Sequence, residues 1–206
     1  MMQKIASIIS AVFHPMIMPL AAVFIAANYD WYVQGVSPPG QMRLVFLIIF
    51  LSTVAFPGIN ILLLRWYGVV SSLEMPRRRE RIAPYLSSAF FFGLGYYLLR
   101  KANLPEVVYS ILFGCFLALI AIMLINFFWK ISAHATGAFG LVGSTAGLFS
   151  VHNFDNVVLL CALVLIGASV MSSRLILNVH TPRQVYAGAT LGFLCLYFSV
   201  TRAWFI

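Results

Sequence analysis

Long apolar runs separated by short polar joints organise this chain. A bilayer core takes roughly 20 apolar residues per helix, with a range of about 17 to 25. On that measure seven segments read as membrane helices: 5–27, 42–67, 84–100, 105–129, 135–150, 157–172 and 184–205. Pro15 and Pro19 lie inside the first and predict a kink, because each removes a backbone donor. The joint at 28–41 holds Ser37-Pro38-Pro39-Gly40 and reads as a turn-rich loop. Residues 71–83 are the most polar stretch and carry Glu74, Arg77, Arg78, Arg79, Glu80 and Arg81. The fifth segment is short and glycine-rich; Gly143-x-x-x-Gly147, with Gly140 and Ser144 beside it, predicts a face where backbones approach closely and a central position in the bundle.

The order of these runs has a consequence for chemistry. Two helices separate the Arg77–Arg81 cluster from His134, and two more separate His134 from His180. An even number of crossings returns the chain to the same side, so three polar segments far apart in sequence are predicted to share one membrane face. His152 and Asp155 fall on the other face, where no catalytic part is expected of either.

Composition agrees with the pattern. Apolar and aromatic residues make up 62% of the 206 residues and charged residues 9%, which points to an all-α, polytopic transmembrane bundle of about seven helices, or six. No polar stretch is long enough to fold apart, so 1–206 reads as a single integral membrane domain. The first run is longer than a signal-peptide core and reads as a retained helix. The net charge of +8 comes from cations at the ends of apolar runs, where they meet headgroups, water or a phosphorylated ligand; nucleic acid is not expected as a partner. Cys115, Cys161 and Cys195 all lie in apolar runs without metal-ligand spacing and read as buried small hydrophobes.

The shared face gathers His134, His180, Arg77, Arg81, Lys130, Arg174, Arg183, Ser132, Ser173 and Gln184, with few carboxylates and no cysteine. A divalent metal wants carboxylates or more histidines, and only Glu74 and Glu80 are near, so no metal or other cofactor is expected. Guanidinium groups match phosphate oxygens, and several converging cations can stabilise a transferring phosphoryl group. One imidazole can attack phosphorus while a second protonates the departing oxygen.

Ser173-Arg174, five residues, His180, three residues, Gln184 resembles the third signature of the type 2 phosphatidic acid phosphatase superfamily, which ends in Asp. Lys130-Ile131-Ser132-Ala133-His134 resembles the second, in its Lys-Ile-Ser-x-His form, and 77–84 lies where the first is expected. The resemblance spans about 74–192, the expected catalytic core. It implies that His180 is the nucleophile forming a phosphohistidine and His134 the general acid. It further implies that Arg174, Lys130 and Arg81 or Arg77 clamp phosphate, and that Ser132, Ser173 and adjacent amides assist. Two positions depart from the pattern: Ala83 precedes Pro84 where the family has Arg, and Gln184 replaces the Asp that orients the nucleophile. Gln184 then orients His180 as a neutral acceptor.

Structural readings stand beside these. Thr181-Pro182-Arg183-Gln184 reads as a capping box. Arg78 and Arg79 read equally well as a topology signal for acidic lipid, and Lys130 as an interfacial anchor. His14, beside Pro15, reads as satisfying carbonyls that the proline frees.

The sequence therefore points to metal-independent hydrolysis of a lipid phosphate or lipid pyrophosphate at the membrane interface. A phosphoryl or headgroup transferase with the same chemistry, and a non-catalytic phospholipid-binding protein or transporter retaining the clamp, are the alternatives. The resemblance implies a bacterial inner membrane with an outward-facing site.

Overall fold

The computed structural model describes residues 1–72, 75, 77–102, 104–153 and 156–202. It is all-helical, with no strand among the described residues. Glu74 and Asp155 lie outside the described residues. Among the described residues ten α-helices follow one another: α1 Met2–Val12, α2 Met18–Tyr29, α3 Trp31–Val36, α4 Pro39–Phe50, α5 Phe56–Trp66, α6 Ile82–Arg100, α7 Glu106–Asn126, α8 Ala133–His152, α9 Val157–Ile176 and α10 Pro182–Thr201.

Among the described residues, five helical stretches are long and apolar enough to cross a membrane: Pro39–Trp66, Arg78–Arg100, Glu106–Asn126, Val157–Ile176 and Pro182–Thr201. The chain is an integral membrane bundle. Of the two other expected segments, the first is divided into two short apolar helices, and α8 is lowered in hydropathy by its Gly, Ser and Thr. α8 is nevertheless 20 residues long, about 30 Å, rather than the short helix expected, and it is enclosed by its neighbours.

Where the helices differ from expectation, proline and capping explain it. The first run is broken rather than kinked: α1 ends at Val12 and α2 starts at Met18, with Pro15 in the break and Pro19 in the first turn of α2. The joint at 28–41 contains α3, because Asp30 accepts from the backbone amides of Tyr32 (2.9 Å) and Val33 (3.1 Å) and so starts a helix. α4 and α5 run on through a wide turn at Leu51–Ala55, where the Phe56 amide reaches back to the Leu51 carbonyl. That i→i−5 step precedes Pro57, which has no amide to keep the regular ladder. α9 continues past 172 to Ile176, so Ser173 and Arg174 sit on its last turn rather than in a loop. Cys161 is exposed on α9, while Cys115 and Cys195 are half-buried.

Close packing of α8 on α10 brings the distant motifs together. A Cβ on Gly192 would lie 2.0 Å from the Thr136 carbonyl oxygen, and one on Gly143 would lie 2.3 Å from that of Phe193. Gly188 meets the Ser132 carbonyl in the same way, and Gly147 makes room for the Val200 side chain. Glycines on both helices thus let the two backbones touch along most of their length. At the site end the Ser132 amide donates to the Gln184 carbonyl (3.3 Å), joining the start of α8 to the first turn of α10.

Candidate active site

A cavity of 650 Å³ lies among α1, α2, α5, α6, α7, the first half of α8 and the end of α9, with Leu196 of α10 on its wall. Arg81, His134, Arg174 and His180 line one end of it. Along α6 its wall runs through Tyr85, Ser88 and Phe92. Phe92 is 11 residues beyond Arg81, about 16 Å deeper along the helix. There the lining is apolar, with Leu119, Ile122 and Leu196. Four of the residues that the crossing count put on one face, Arg81, His134, Arg174 and His180, thus meet there.

Each side chain is placed by a local device. α9 ends in a turn whose Asn178 takes a left-handed backbone (φ 53°), a conformation asparagine tolerates, and two residues later comes His180, 9% exposed. Gln184 then fixes the imidazole. Its Oε1 accepts the Thr181 amide at 3.2 Å and lies 3.1 Å from His180 Nδ1. The backbone amide can only donate, so this atom is the amide oxygen, and the His180 Nδ1–H must be the donor. His180 Nε2 is left with its lone pair. Gln184 thus caps α10 and orients His180 with one oxygen, and the two readings of that residue coincide.

Arg81 is 7% exposed at the start of α6; its Nε donates to the Met75 carbonyl (2.9 Å), and its side chain also hydrogen-bonds Tyr85. Burial holds the half-buried Lys130 ammonium below its ordinary pKa, with the nearby Arg81 and Arg174 charges adding to that effect. His180 is pushed down to about 4, chiefly by burial; the Gln184 hydrogen bond opposes this, and Arg81, Lys130 and Arg174 add to it. Three cations therefore converge on a histidine that is neutral at neutral pH.

Other expected residues are placed differently. Arg77 has an 85% exposed side chain, lies 4.0 Å from Glu80 and does not line the cavity. Arg78 donates to the Phe128 carbonyl and its own carbonyl accepts from Asn126 (2.9 Å), so it closes the end of α7. Ser132 is fully buried and accepts the Ala135 amide (3.4 Å) as the N-cap of α8. Ser173 donates to the Val170 carbonyl (2.7 Å) and accepts from Ser10 (2.9 Å). Both serines hold helix ends instead of facing the cavity.

Sequence reasoning missed three residues. Tyr85 and Ser10 gave no signal beyond being polar in apolar runs. His14 stands edge-on to His134, with ring centroids 5.2 Å apart, and lines the same cavity. Its ionisable side chain within an apolar run was the available sign.

The two histidines, the cations and the spacings can be compared with known proteins. No curated protein and no solved structure matches the chain. The model of the PAP2 superfamily matches residues 126–205, which hold Lys130, His134, Arg174, His180 and Gln184, while Arg81 lies ahead of the match. Residues 126–205 are thus similar to the PAP2 superfamily, in agreement with the type 2 phosphatidic acid phosphatase signature that the spacing from Ser173 to Gln184 resembles.

Proposed function

We propose that this protein is a metal-independent phosphatase of a lipid phosphate or lipid pyrophosphate, acting through a phosphohistidine on His180 at the membrane interface. The superfamily match points to phosphatase action on phosphate esters. The observation that carries the finer reading is the Gln184 oxygen, held by the Thr181 amide, which makes Nδ1 the proton-bearing nitrogen and leaves Nε2 of His180 as the nucleophile.

In the first step Nε2 attacks phosphorus, the bond from phosphorus to the leaving oxygen breaks, and protonated His134 gives that oxygen its proton. Arg81, Arg174 and Lys130 neutralise charge on the non-bridging oxygens, helped by the amides at the start of α8. In the second step neutral His134 takes a proton from water, the water oxygen bonds phosphorus and the P–N bond breaks. Inorganic phosphate leaves and His180 is restored. Ser132 and Ser173 hold the helix ends that carry His134 and Arg174, and Arg77 has no part.

A lipid substrate suits the cavity, which is charged at one end and apolar beyond it. We assign the site to the outward face of a bacterial inner membrane, with the C-terminus on the opposite side because one further helix follows His180. A topology reporter fused after residue 206 tests this.

Purified protein given a panel of lipid phosphates with chelator present should release phosphate and be inhibited by orthovanadate, a mimic of five-coordinate phosphorus. Phosphate release undiminished in His180→Ala would overturn the mechanism.

A further inference from the structure

The first membrane segment contributes to the site from outside the matched residues. Its break at 13–17 sits against α8: a Cβ on Gly137 would lie 3.1 Å from the Pro15 Cα. His14 in that break presents an edge-on ring to His134, with an interplanar angle of 83°. The main chain of Ser10, one turn earlier on α1, hydrogen-bonds the His134 imidazole, with the carbonyl accepting. The Ser10 hydroxyl donates to Ser173, next to Arg174 on α9. His14 Nδ1 accepts the Met16 amide (3.4 Å), which keeps its own ring in one orientation.

An imidazole lining a cavity can turn about χ2 and exchange each ring nitrogen with a ring carbon. Such a turn would put a carbon where His134 needs a proton-bearing nitrogen. The Ser10 carbonyl rewards one orientation, and a near-perpendicular ring 5.2 Å away, centroid to centroid, obstructs the turn.

We propose that His14 is a positioning residue for His134: its ring walls the imidazole so that one nitrogen stays on the Ser10 carbonyl and the other faces the cavity. The role is one of shape, and His14 carries no proton in the reaction. The kinetic part of this inference rests on the phosphatase reading; the spectroscopic part does not.

The test uses the full chain in lipid nanodiscs with isotope-labelled histidine, of which there are four. Imidazole NMR of the wild type should show His134 as a single tautomer when neutral. His14→Ala should give averaged tautomers, and His14→Phe, which keeps a ring of similar shape, should restore the single form. On a lipid phosphate the alanine variant should lose about tenfold in kcat with KM little changed, the lower end of what orienting partners of histidines contribute. The phenylalanine variant should recover most of that loss.

An averaged His134 tautomer in the wild type, an unchanged one in His14→Ala, or a phenylalanine variant as impaired as alanine would each overturn the proposal. The wild-type spectrum decides even where a variant does not fold. A wild type that hydrolyses no lipid phosphate would remove the proposed function and leave the NMR arms still able to support or overturn the positioning role.

Discussion

The two ends of α8 carry one histidine each, and they are built in opposite ways. At the site end His134 stands in a cavity with Arg81, Arg174, His180 and His14 and no carboxylate among those lining residues. About 27 Å away, 18 residues along the helix, His152 donates through Nδ1 to the carboxylate of Asp30, which is fully buried and also caps α3. Tyr32 and Trp31 pack around that imidazole, with ring centroids at 5.2 and 6.3 Å. A histidine whose charge and hydrogen bonds are matched within the protein has little left to offer a substrate. Arg81, Lys130 and Arg174 all act on His180, a basic setting that suits the anionic phosphoester of the proposed reaction.

The largest effect that would test this contrast comes from the proposed nucleophile. His180→Ala should reduce turnover by more than about a thousandfold, as loss of a covalent nucleophile does elsewhere. His152→Ala should leave the turnover of correctly folded protein unchanged; equal losses in steady-state assays would erase the distinction between the ends. Next, Arg81→Ala should reduce kcat by about a hundredfold, in the range of removing one donor to a developing anion. Arg77→Ala should fall within about twofold of wild type, as expected of an exposed ion pair that contributes little.

At the opposite end, Asp30→Ala leaves His152 without its acceptor and uncaps α3. Stability should fall by about 3–5 kcal/mol, the usual result of removing one partner from a buried pair, read as a lowered thermal midpoint in detergent. A smaller effect concerns the orienting amide. Gln184→Ala should lower kcat by about ten- to a hundredfold, with the helix start loosened as well.

The smallest expected change is in pH dependence. His180 is pushed down to about 4, so it is unprotonated and nucleophilic above that value and lost as a nucleophile below it. The acid limb of kcat/KM, which reports the free enzyme, should fall near pH 4 instead of near the ordinary histidine value. Gln184→Glu keeps the acceptor and adds a negative charge, which favours imidazolium and should move the limb to higher pH. A limb that stays in place would separate Gln184 from His180.

Much of the site was legible because crossing parity depends only on counting apolar runs. It put Arg81, His134 and His180 on one face and His152 on the other before any packing was known. Helix ends were less legible. Asp30 starts a helix within what reads as a loop, since a single side chain accepting two amides outweighs Pro and Gly nearby. The role of Arg77 was open from spacing alone, because the first motif lacks its Arg-Pro; which of two arginines turns inward depends on the short helical turn at Arg78–Arg81. Ser132 and Ser173 stand at motif positions, yet their hydroxyls are taken up by the helix ends.

His14 marks the boundary between what sequence and structure decided. By itself the sequence determined that the chain lives in lipid, that its polar joints alternate between two faces, and that two histidines at family spacing share one of them. Those follow from hydrophobic length and parity, which are one-dimensional properties. Only tertiary structure decided that a broken first helix, more than 100 residues from His134 in sequence, closes the same cavity. The glycine contacts of α8 with α10, and of Gly137 with Pro15, set how near the backbones come. Side-chain meetings at that range depend on distances between helices, and hydropathy along one chain does not encode them.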